Sequence, residues 1–286
     1  MPHKKSRRRS QIAEVWRRLL KSKPAVISMC FIMLLVLCAV FAEYIAPYDY
    51  AEQDFLSTLQ LPSLSHLMGT DDFGRDLFSR LLVGARISLL VAFLSVAMSV
   101  AAALFVGSTV GYFGGLYDTI VMRILDIFMA IPSMMLSILV SVTLGTGIVN
   151  TSIAIAIGGV PALARTLRSA TLPIRDQEYI EAARAFGASN FWIIWKHVLP
   201  NTLAPLIVQI SLRLGQSIIV IASLSFIGLG VQPPTPEWGN IMASGQEYIR
   251  SFWPLVTFPG ILIGLSMLSF NLLGDGLRDA MDPRLK

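Results

Sequence analysis

His66, Asp71, Asp72 and Asp76 fall within eleven residues, the densest gathering of metal-binding or proton-carrying side chains in the chain. One imidazole among scattered carboxylates lacks the ligand count and spacing of a dedicated metal site. A folded cap accounts for the same residues: Gly69 and Gly74 make turns, and Asp72 with Arg75 and Asp76 with Arg80 form local charge pairs. The other two histidines, His3 and His197, also lie outside the apolar segments, so no nucleophile–base pair or metal set emerges within them. Neither a catalytic nor a metal site is expected. Cys30 and Cys38 stand eight residues apart; about 12 Å of helical rise separates them, too far to bridge within one helix. No GxxxxGK[ST] run occurs, so the chain has no P-loop to cradle ATP phosphates. Any chemical energy it uses comes from a partner.

Arg213 poses a different question. It lies near the middle of an apolar segment, where a charge is costly and normally faces a water-filled path or a partner. A pore-lining base that meets the carboxylate of a passing ligand is one reading; an Arg paired to helix carbonyls or brought to an interface by tilt is the other. Gln209 and Gln216 flank it at helical spacing and extend a polar stripe, and Asn271 is placed to face the same cavity. Asp118, Arg123 and Asp126 gather at one end of another apolar segment, with Arg123 in helical reach of both acids.

The elements that position these residues are membrane helices. The chain has 286 residues, 54% hydrophobic and 14% charged, with a mean hydropathy of +0.65; a soluble domain is about 25% charged. Six apolar stretches are long enough to cross hydrocarbon: Ala25–Ala46, Ile87–Phe113, Thr119–Leu144, Gly147–Ala164, Leu203–Gly228 and Pro254–Gly274. Open sheet cannot satisfy its backbone in lipid, so the expected fold is all-α, a polytopic bundle of six transmembrane helices. The net charge of +5 is no nucleic-acid signal, because Lys4, Lys5, Arg7, Arg8, Arg9, Arg17, Arg18, Lys21 and Lys23 precede the first span. That pattern places the N-terminus inside, next to anionic lipid, and six crossings return the C-terminus there. The first span is too long for a signal-peptide core and reads as an uncleaved anchor.

Loop charge agrees. Residues 47–80 carry six acids and two bases, whereas Arg165–Thr202 carries Arg165, Arg168, Arg175, Arg184 and Lys196 against Asp176, Glu178 and Glu181. The organisation is therefore a basic segment 1–24, an anchor 25–46, an outside segment 47–86, a core 87–274 with an inside loop 165–202, and an inside tail 275–286. Gly158, Gly159 and Pro161 in the fourth span permit a hinge or close packing, and Pro132 in the third carries the same alternatives.

The inside loop holds the most telling pattern. Tyr179, Ala182, Ala183 and Phe186 fall on one helical face, Glu181 and Arg184 pair on another, and Gly187 is placed to end the helix. Ser189 or Asn190 can cap the next helix, and Pro200 precedes the fifth span. Such a surface suits a protein partner, with Phe186 as a knob, or simply rests on lipid.

The spacing Glu181-Ala182-Ala183, Gly187, then His197-Val198-Leu199-Pro200 resembles the EAA signature of ABC importer permeases, with His197 where the general pattern has Ile. Three further stretches, His66–Leu89, Ser223–Gly239 and Gly274–Lys286, resemble the C-type permeases of dipeptide, oligopeptide, glutathione and nickel uptake. Many members have an acid just before the ASLSF-like run; here Ile221 and Ala222 stand there.

The resemblance implies a type I importer permease fold in a bacterial cytoplasmic membrane. It implies a coupling helix at Glu181, Ala182, Ala183 and Gly187, with Tyr179 and Phe186 beside it, docked on one of two ABC ATPase subunits. Those subunits would hold ATP and Mg, with no cofactor in this chain. A homologous second permease completes the pore. An extracytoplasmic binding protein would meet the segment containing Asp71, Arg75 and Asp76 and the loop containing Pro234 and Trp238. Arg213, Gln209, Gln216 and Asn271 would lie along the path of a di- or oligopeptide or a glutathione-like peptide, or, alternatively, of nickel or a metal chelate. An ion-coupled secondary transporter fits less well, because no span has an acid near its centre.

Overall fold

The computed structural model describes residues 13–282, leaving the basic cluster of residues 4–9 and the last four residues of the tail outside it. Every regular element among the described residues is a helix, and the one β feature is a single bridge between Thr70 and Asp76. A helical stretch at residues 13–19 leads into α1 (Lys23–Val40) and the short α2 (Ala42–Ile45). An irregular segment follows, then α3 (Leu77–Phe113), α4 (Gly115–Ala130), α5 (Ser133–Leu144) and α6 (Ile148–Arg175). α7 (Glu178–Ala185) and α8 (Asn190–Ile193) continue through a π-helical turn, Ile194–Val198, into α9 (Leu199–Phe226). α10 (Trp238–Ser244) and α11 (Pro254–Met281) complete the chain.

Five of these stretches are long and apolar enough to span a membrane: α1, α3, α6, α8 with α9, and α11. The third apolar segment, Thr119–Leu144, takes the hinge of the two alternatives open at Pro132. It breaks into α4 and α5, bent by 90° at Ile131–Pro132, and makes a sixth span if both limbs count as one. Pro132 lacks an amide hydrogen and forces the residue before it out of the helical region, and Ile131 is extended at φ −91°, ψ 127°. The second segment starts ten residues earlier than Ile87, at Leu77. Asp76 caps it, its carboxylate accepting from Ser79 N at 2.8 Å and Ser79 Oγ at 2.7 Å. Arg80 and Arg86 thus belong to the helix. Helices α6 and α11 also run past the expected ends, to Arg175 and Met281.

The ends of the bundle differ. The cap end carries residues 47–76 and α10; the loop end carries α7, α8, the helical residues 13–19 and the C-terminus of α11. At the loop end Leu19, Ala25 and Ala280 pack together.

The central contact joins α3 to α6. Ser99, Ala103, Gly107 and Gly111 recur every fourth residue and form one small-residue stripe along α3. A Cβ on Gly107 would sit 2.5 Å from the Ala164 carbonyl oxygen and 2.7 Å from Leu167 Cβ; one on Gly111 would meet Thr171 Cβ at 2.7 Å. A Cβ on Gly159 would meet Ser99 Oγ at 2.7 Å, and Ser99 Oγ donates to Ala156 O at 2.9 Å. The helix runs unbroken through Pro161. Gly159 therefore serves close packing, the second of the two readings open for it. A similar seam joins α9 to α11, where Gly215 lies against Met267 O and Gly274 against Leu212.

Gly107→Leu should overpack the α3–α6 contact and cost about 1–3 kcal/mol, lowering the melting temperature in detergent. Gly264→Ala, in α11 with nothing within 4 Å of the new methyl, should stabilise by about 0.4–1 kcal/mol.

Candidate functional site

At the loop end, α7 is a short helix held from below. Ile180, Ile193, Ile194 and Val198 pack with Tyr112 into a small apolar core. Gly187 stops the helix at φ +79°, and Ala188 N donates to Ala183 O at 3.0 Å while Gly187 N donates to Arg184 O at 2.9 Å. That double closure is a Schellman motif, and it requires the left-handed conformation that glycine adopts at no steric cost. Ser189 caps α8 by accepting from Trp192 N at 3.3 Å. With the buried side settled, Tyr179, Glu181 and Ala182 are exposed, Ala183 is half-buried, and Phe186 stands 92% exposed.

Arg184 is not paired with Glu181 as its spacing predicts. It turns back over the Tyr112 ring, 4.9 Å from the centroid, and its Nε donates to the Tyr112 hydroxyl at 3.1 Å. The acids of α4 also find partners on another helix. Arg168 of α6 grips Asp118 through two bonds at 2.5 and 2.6 Å, and Arg165 pairs with Asp126. Arg123 reaches Asp126 only at 4.0 Å. Helix crossing brings these partners closer than the spacing along α4 does.

In mid-span, Arg213 and Gln216 of α9 share a narrow cleft with Ser99, Ser133, Ser137 and Ser217. Arg213 Nη1 donates to Gln216 Oε1 at 3.3 Å. The cleft has room for about 20 Å³, roughly one water. Gln209 is half-buried, one turn before Arg213. Asn271 does not share this cleft as expected. Its Oδ1 lies 3.0 Å from where a Gly215 Cβ would be, and residues 213 and 215 point about 200° apart on a helix. Asn271 therefore belongs to the α9–α11 seam.

The cap end is a network built inward. Asp71 is buried and accepts from Phe73 N and Arg75 N, both at 2.9 Å, and from Arg75 Nε at 2.6 Å. Arg80 lies 3.3 Å from the same carboxylate, while Asp72 is 3.9 Å from Arg75. Asp76 faces His66 Nδ1 at 3.0 Å as well as capping α3. Of the pairs expected from spacing, Asp72 with Arg75 is present but long, with Asp71 the closer partner of Arg75, and Asp76 pairs with His66 in place of Arg80. Burial, and after it the neighbouring Asp71, pushes the Asp72 carboxyl up.

Asp71, Arg75, Asp76 and Trp238 were expected to meet a partner, and their burial corrects that placement: they hold the cap together instead of presenting a surface. Trp238 packs on Gly84 and donates from Nε1 to Leu81 O at 3.1 Å. Pro234 is exposed, beside Gln232 and Pro233.

Sequence reasoning missed Glu237, a carboxylate with no exposed surface. It accepts from Ser88 Oγ at 2.8 Å, Gly239 N at 2.9 Å and Asn240 N at 3.2 Å, and Asn240 Oδ1 in turn accepts from the Glu237 amide N at 3.1 Å. This reciprocal capping box fastens α10 to α3. An acid followed three residues later by Asn was the available signal, obscured because glutamate is an uncommon N-cap. Gly239 rests directly on the backbone of Ala222, in the position where an acid had been looked for. Among the described residues no cluster of three potential metal ligands occurs.

Residues 99–286 match the family described as binding-protein-dependent transport system inner membrane component, and residues 10–62 match the N-terminal TM domain of oligopeptide transport permease C. The chain is 44% identical to the di/tripeptide transport system permease protein DppC of Pseudomonas aeruginosa, covering 97% of this chain and 93% of that one. It is 44% identical to the glutathione transport system permease protein GsiD of Escherichia coli, covering 96% and 90%. A solved inward-facing MetNI methionine ABC transporter matches with a TM-score of 0.57 at 24% identity, over 71% of this chain and 96% of that one. The last match carries the fold alone.

Burial pushes the Glu237 carboxyl up from 4.5, while its hydrogen bonds, that from Ser88 foremost, pull it back in part. A carboxyl held up in the folded state binds its proton more tightly than the unfolded chain does. Stability therefore rises as pH falls through the folded pKa and levels off below the unfolded value. Glu237→Gln should remove this contribution, giving a melting temperature that varies less with pH than wild type's above the ordinary carboxyl value of 4.5. Glu237→Ala leaves two buried amides without an acceptor and should cost about 1–3 kcal/mol for each.

Proposed function

The chain belongs to the family of binding-protein-dependent transport system inner membrane components and is a non-catalytic permease subunit of an ABC importer, and we propose that its cargo is a short peptide, glutathione-like peptides included. The names of the di/tripeptide and glutathione relatives support peptide cargo over nickel or a metal chelate. The reading assigns the loop end to the cytoplasm, in keeping with the basic residues of the Arg165–Thr202 loop and the N-terminal segment.

One observation carries the coupling role: a rigidly closed helix, α7, that holds Phe186 92% exposed above its own apolar base. A solvent-exposed aromatic on a preordered mount is what a pocket on a partner would take up. In this reading Tyr179, Glu181, Ala182, Ala183, Phe186 and Gly187 dock on an ATPase subunit. A homologous second permease carries a second such helix to a second ATPase, and both ATPases hold ATP with Mg. Closure of the ATPase pair presses on α7. Its base is continuous with α9 through the π-helical turn and packs on Tyr112 of α3, so the displacement reaches both. ATP shifts the equilibrium because it binds one of the two packings more tightly.

The binding protein delivers cargo at the cap end, where the exposed loop around Pro234 is the available surface. Along the path, Arg213 meets the peptide carboxylate with Gln209 and Gln216 beside it. The small cleft around Arg213 is then the site in a closed state.

Phe186→Asp and Gly187→Trp should each weaken recovery of the ATPases in affinity purification by about 30-fold, the scale of a 2 kcal/mol hot spot, while the second permease stays bound. A chain that purifies alone and transports by itself in vesicles would overturn the reading. Arg213→Ala should lower peptide uptake at least about tenfold, the loss of one charge-assisted hydrogen bond, with ATPases still attached. Loss of assembly would give Arg213 a packing role.

A further inference from the structure

A second basic site lies at the loop end, apart from the exposed face of α7. Tyr112, Arg175, Asp176, Arg184 and Asn190 line a cleft of about 380 Å³. Two guanidinium groups are held at its wall by the protein. Arg184 is stacked over Tyr112 and bonded to its hydroxyl, which in turn donates to Asn190 Oδ1 at 2.9 Å. Arg175 donates from Nη1 to Gly111 O and from Nε to Asp176 Oδ1, both at 3.2 Å. Gly114, at φ +65°, leaves room for it: a Cβ there would lie 2.4 Å from Arg175 Nη1. Both Nη groups of Arg184 and Nη2 of Arg175 have no acceptor among the described residues, so donors for an oxyanion are in place.

We propose that this cleft binds the phosphodiester headgroup of an anionic phospholipid in the leaflet at the loop end. Charge fits the ligand. Arg175 and Arg184 against Asp176 leave one net positive charge, and a phosphodiester carries one negative charge. Guanidinium forks match phosphate oxygens. Position separates a lipid from a free anion. The cleft lies where α3 and α6 end, and Phe113, Leu116 and Tyr117 beside it are 53%, 78% and 43% exposed. Tyr112, Phe113 and Tyr117 form an edge-to-face ladder with centroids 5.3 and 6.4 Å apart. Exposed aromatic and aliphatic side chains next to a basic pocket at the end of two spans mark the headgroup level of a bilayer. Arg184 and Phe186, the residue that caps α7, point about 200° apart, so the knob offered to the ATPase faces away from the guanidinium. A lipid bound here would tie α7 to the ends of α3 and α6.

The test uses the complete complex extracted from vesicles of mixed phosphatidylglycerol and phosphatidylcholine, with native mass spectrometry of the retained lipids. Wild type should keep phosphatidylglycerol at least about tenfold over phosphatidylcholine, a preference of about 1.4 kcal/mol. Arg175→Gln with Arg184→Gln should abolish the enrichment, and the matching Lys pair, which keeps charge without the fork, should retain part of it even if the Gln pair fails to fold. No enrichment in wild type, or enrichment unchanged in a folded Gln pair, would overturn the proposal. Displacement of the lipid by millimolar inorganic phosphate would overturn it in favour of a free-anion site. Loss of the ATPases with lipid retention intact would overturn it in favour of an acidic side chain on the partner. The lipid readout depends neither on which cargo is transported nor on whether Phe186 docks an ATPase.

Discussion

Gly107 and Gly111 let two span backbones touch, with the Ala164 carbonyl where a side chain would otherwise stand. In hydrocarbon the hydrophobic effect does not press helices together, so close van der Waals approach has to do so. The small-residue stripe of α3 supplies that approach along the length of α6, from Ser99 opposite Gly159 down to Gly111 opposite Thr171. The other helices are placed relative to this pair. α5 packs against α6, α9 against both, and α11 against α9 through Gly215 and Gly274.

The pair also carries the two ends of the molecule. At the loop end, α3 supplies Tyr112 and α6 runs out to Arg175, so the base of α7 is seated on the same two helices that touch through glycine. The base of α7 is thus linked to the tightest contact in the bundle, where little movement can be absorbed locally. The bent pair α4 and α5 is bound less extensively, by Leu125 against Leu163 and Leu167 and two Arg–Asp pairs from α6 at its α4 limb, and by a serine contact at its α5 limb. Partly exposed ion pairs are individually weak. Rearrangement of this limb against α6 is less costly than separation of α3 from α6.

At the cap end the constraint is of another kind. Residues 47–76 have few regular hydrogen bonds of their own, so buried carboxylates serve as acceptors for the backbone. Asp71 takes two amides, Asp76 starts α3, and Glu237 takes two amides and the Ser88 hydroxyl. A buried carboxylate is tolerable only where such donors converge on it. This explains why acids dense enough to suggest a metal site or a docking surface turn inward.

Helix class, the apolar spans and the short helix that Gly187 ends were legible in the residues because each depends on short-range rules: length of apolar runs, an apolar face repeating at helical spacing, and a glycine that ends a helix. The expectations for Phe186, Gly187 and Ser189 rest on such rules, and the structure has the knob exposed, the Schellman closure and the cap. The break at Pro132 was half-legible, since proline predicts a disturbance without giving its 90° angle. Partners chosen by helix crossing were not legible. Spacing proposed Arg123 for the acids of α4, Glu181 for Arg184 and Asp72 for Arg75, and of these the Arg123–Asp126 and Asp72–Arg75 pairs form only at 4.0 and 3.9 Å. The closer partners, Arg168 and Arg165, Tyr112, and Asp71, came from packing. The sequence determined which segments are apolar enough to enter the membrane and where a short amphipathic helix ends in an exposed aromatic, because those follow from local chemistry. Only the tertiary structure decided that Asp71, Arg75, Asp76 and Trp238 face inward, that Asn271 turns away from Arg213, and that Glu237 is buried. Those outcomes depend on which distant backbone arrives with a free donor or a missing side chain.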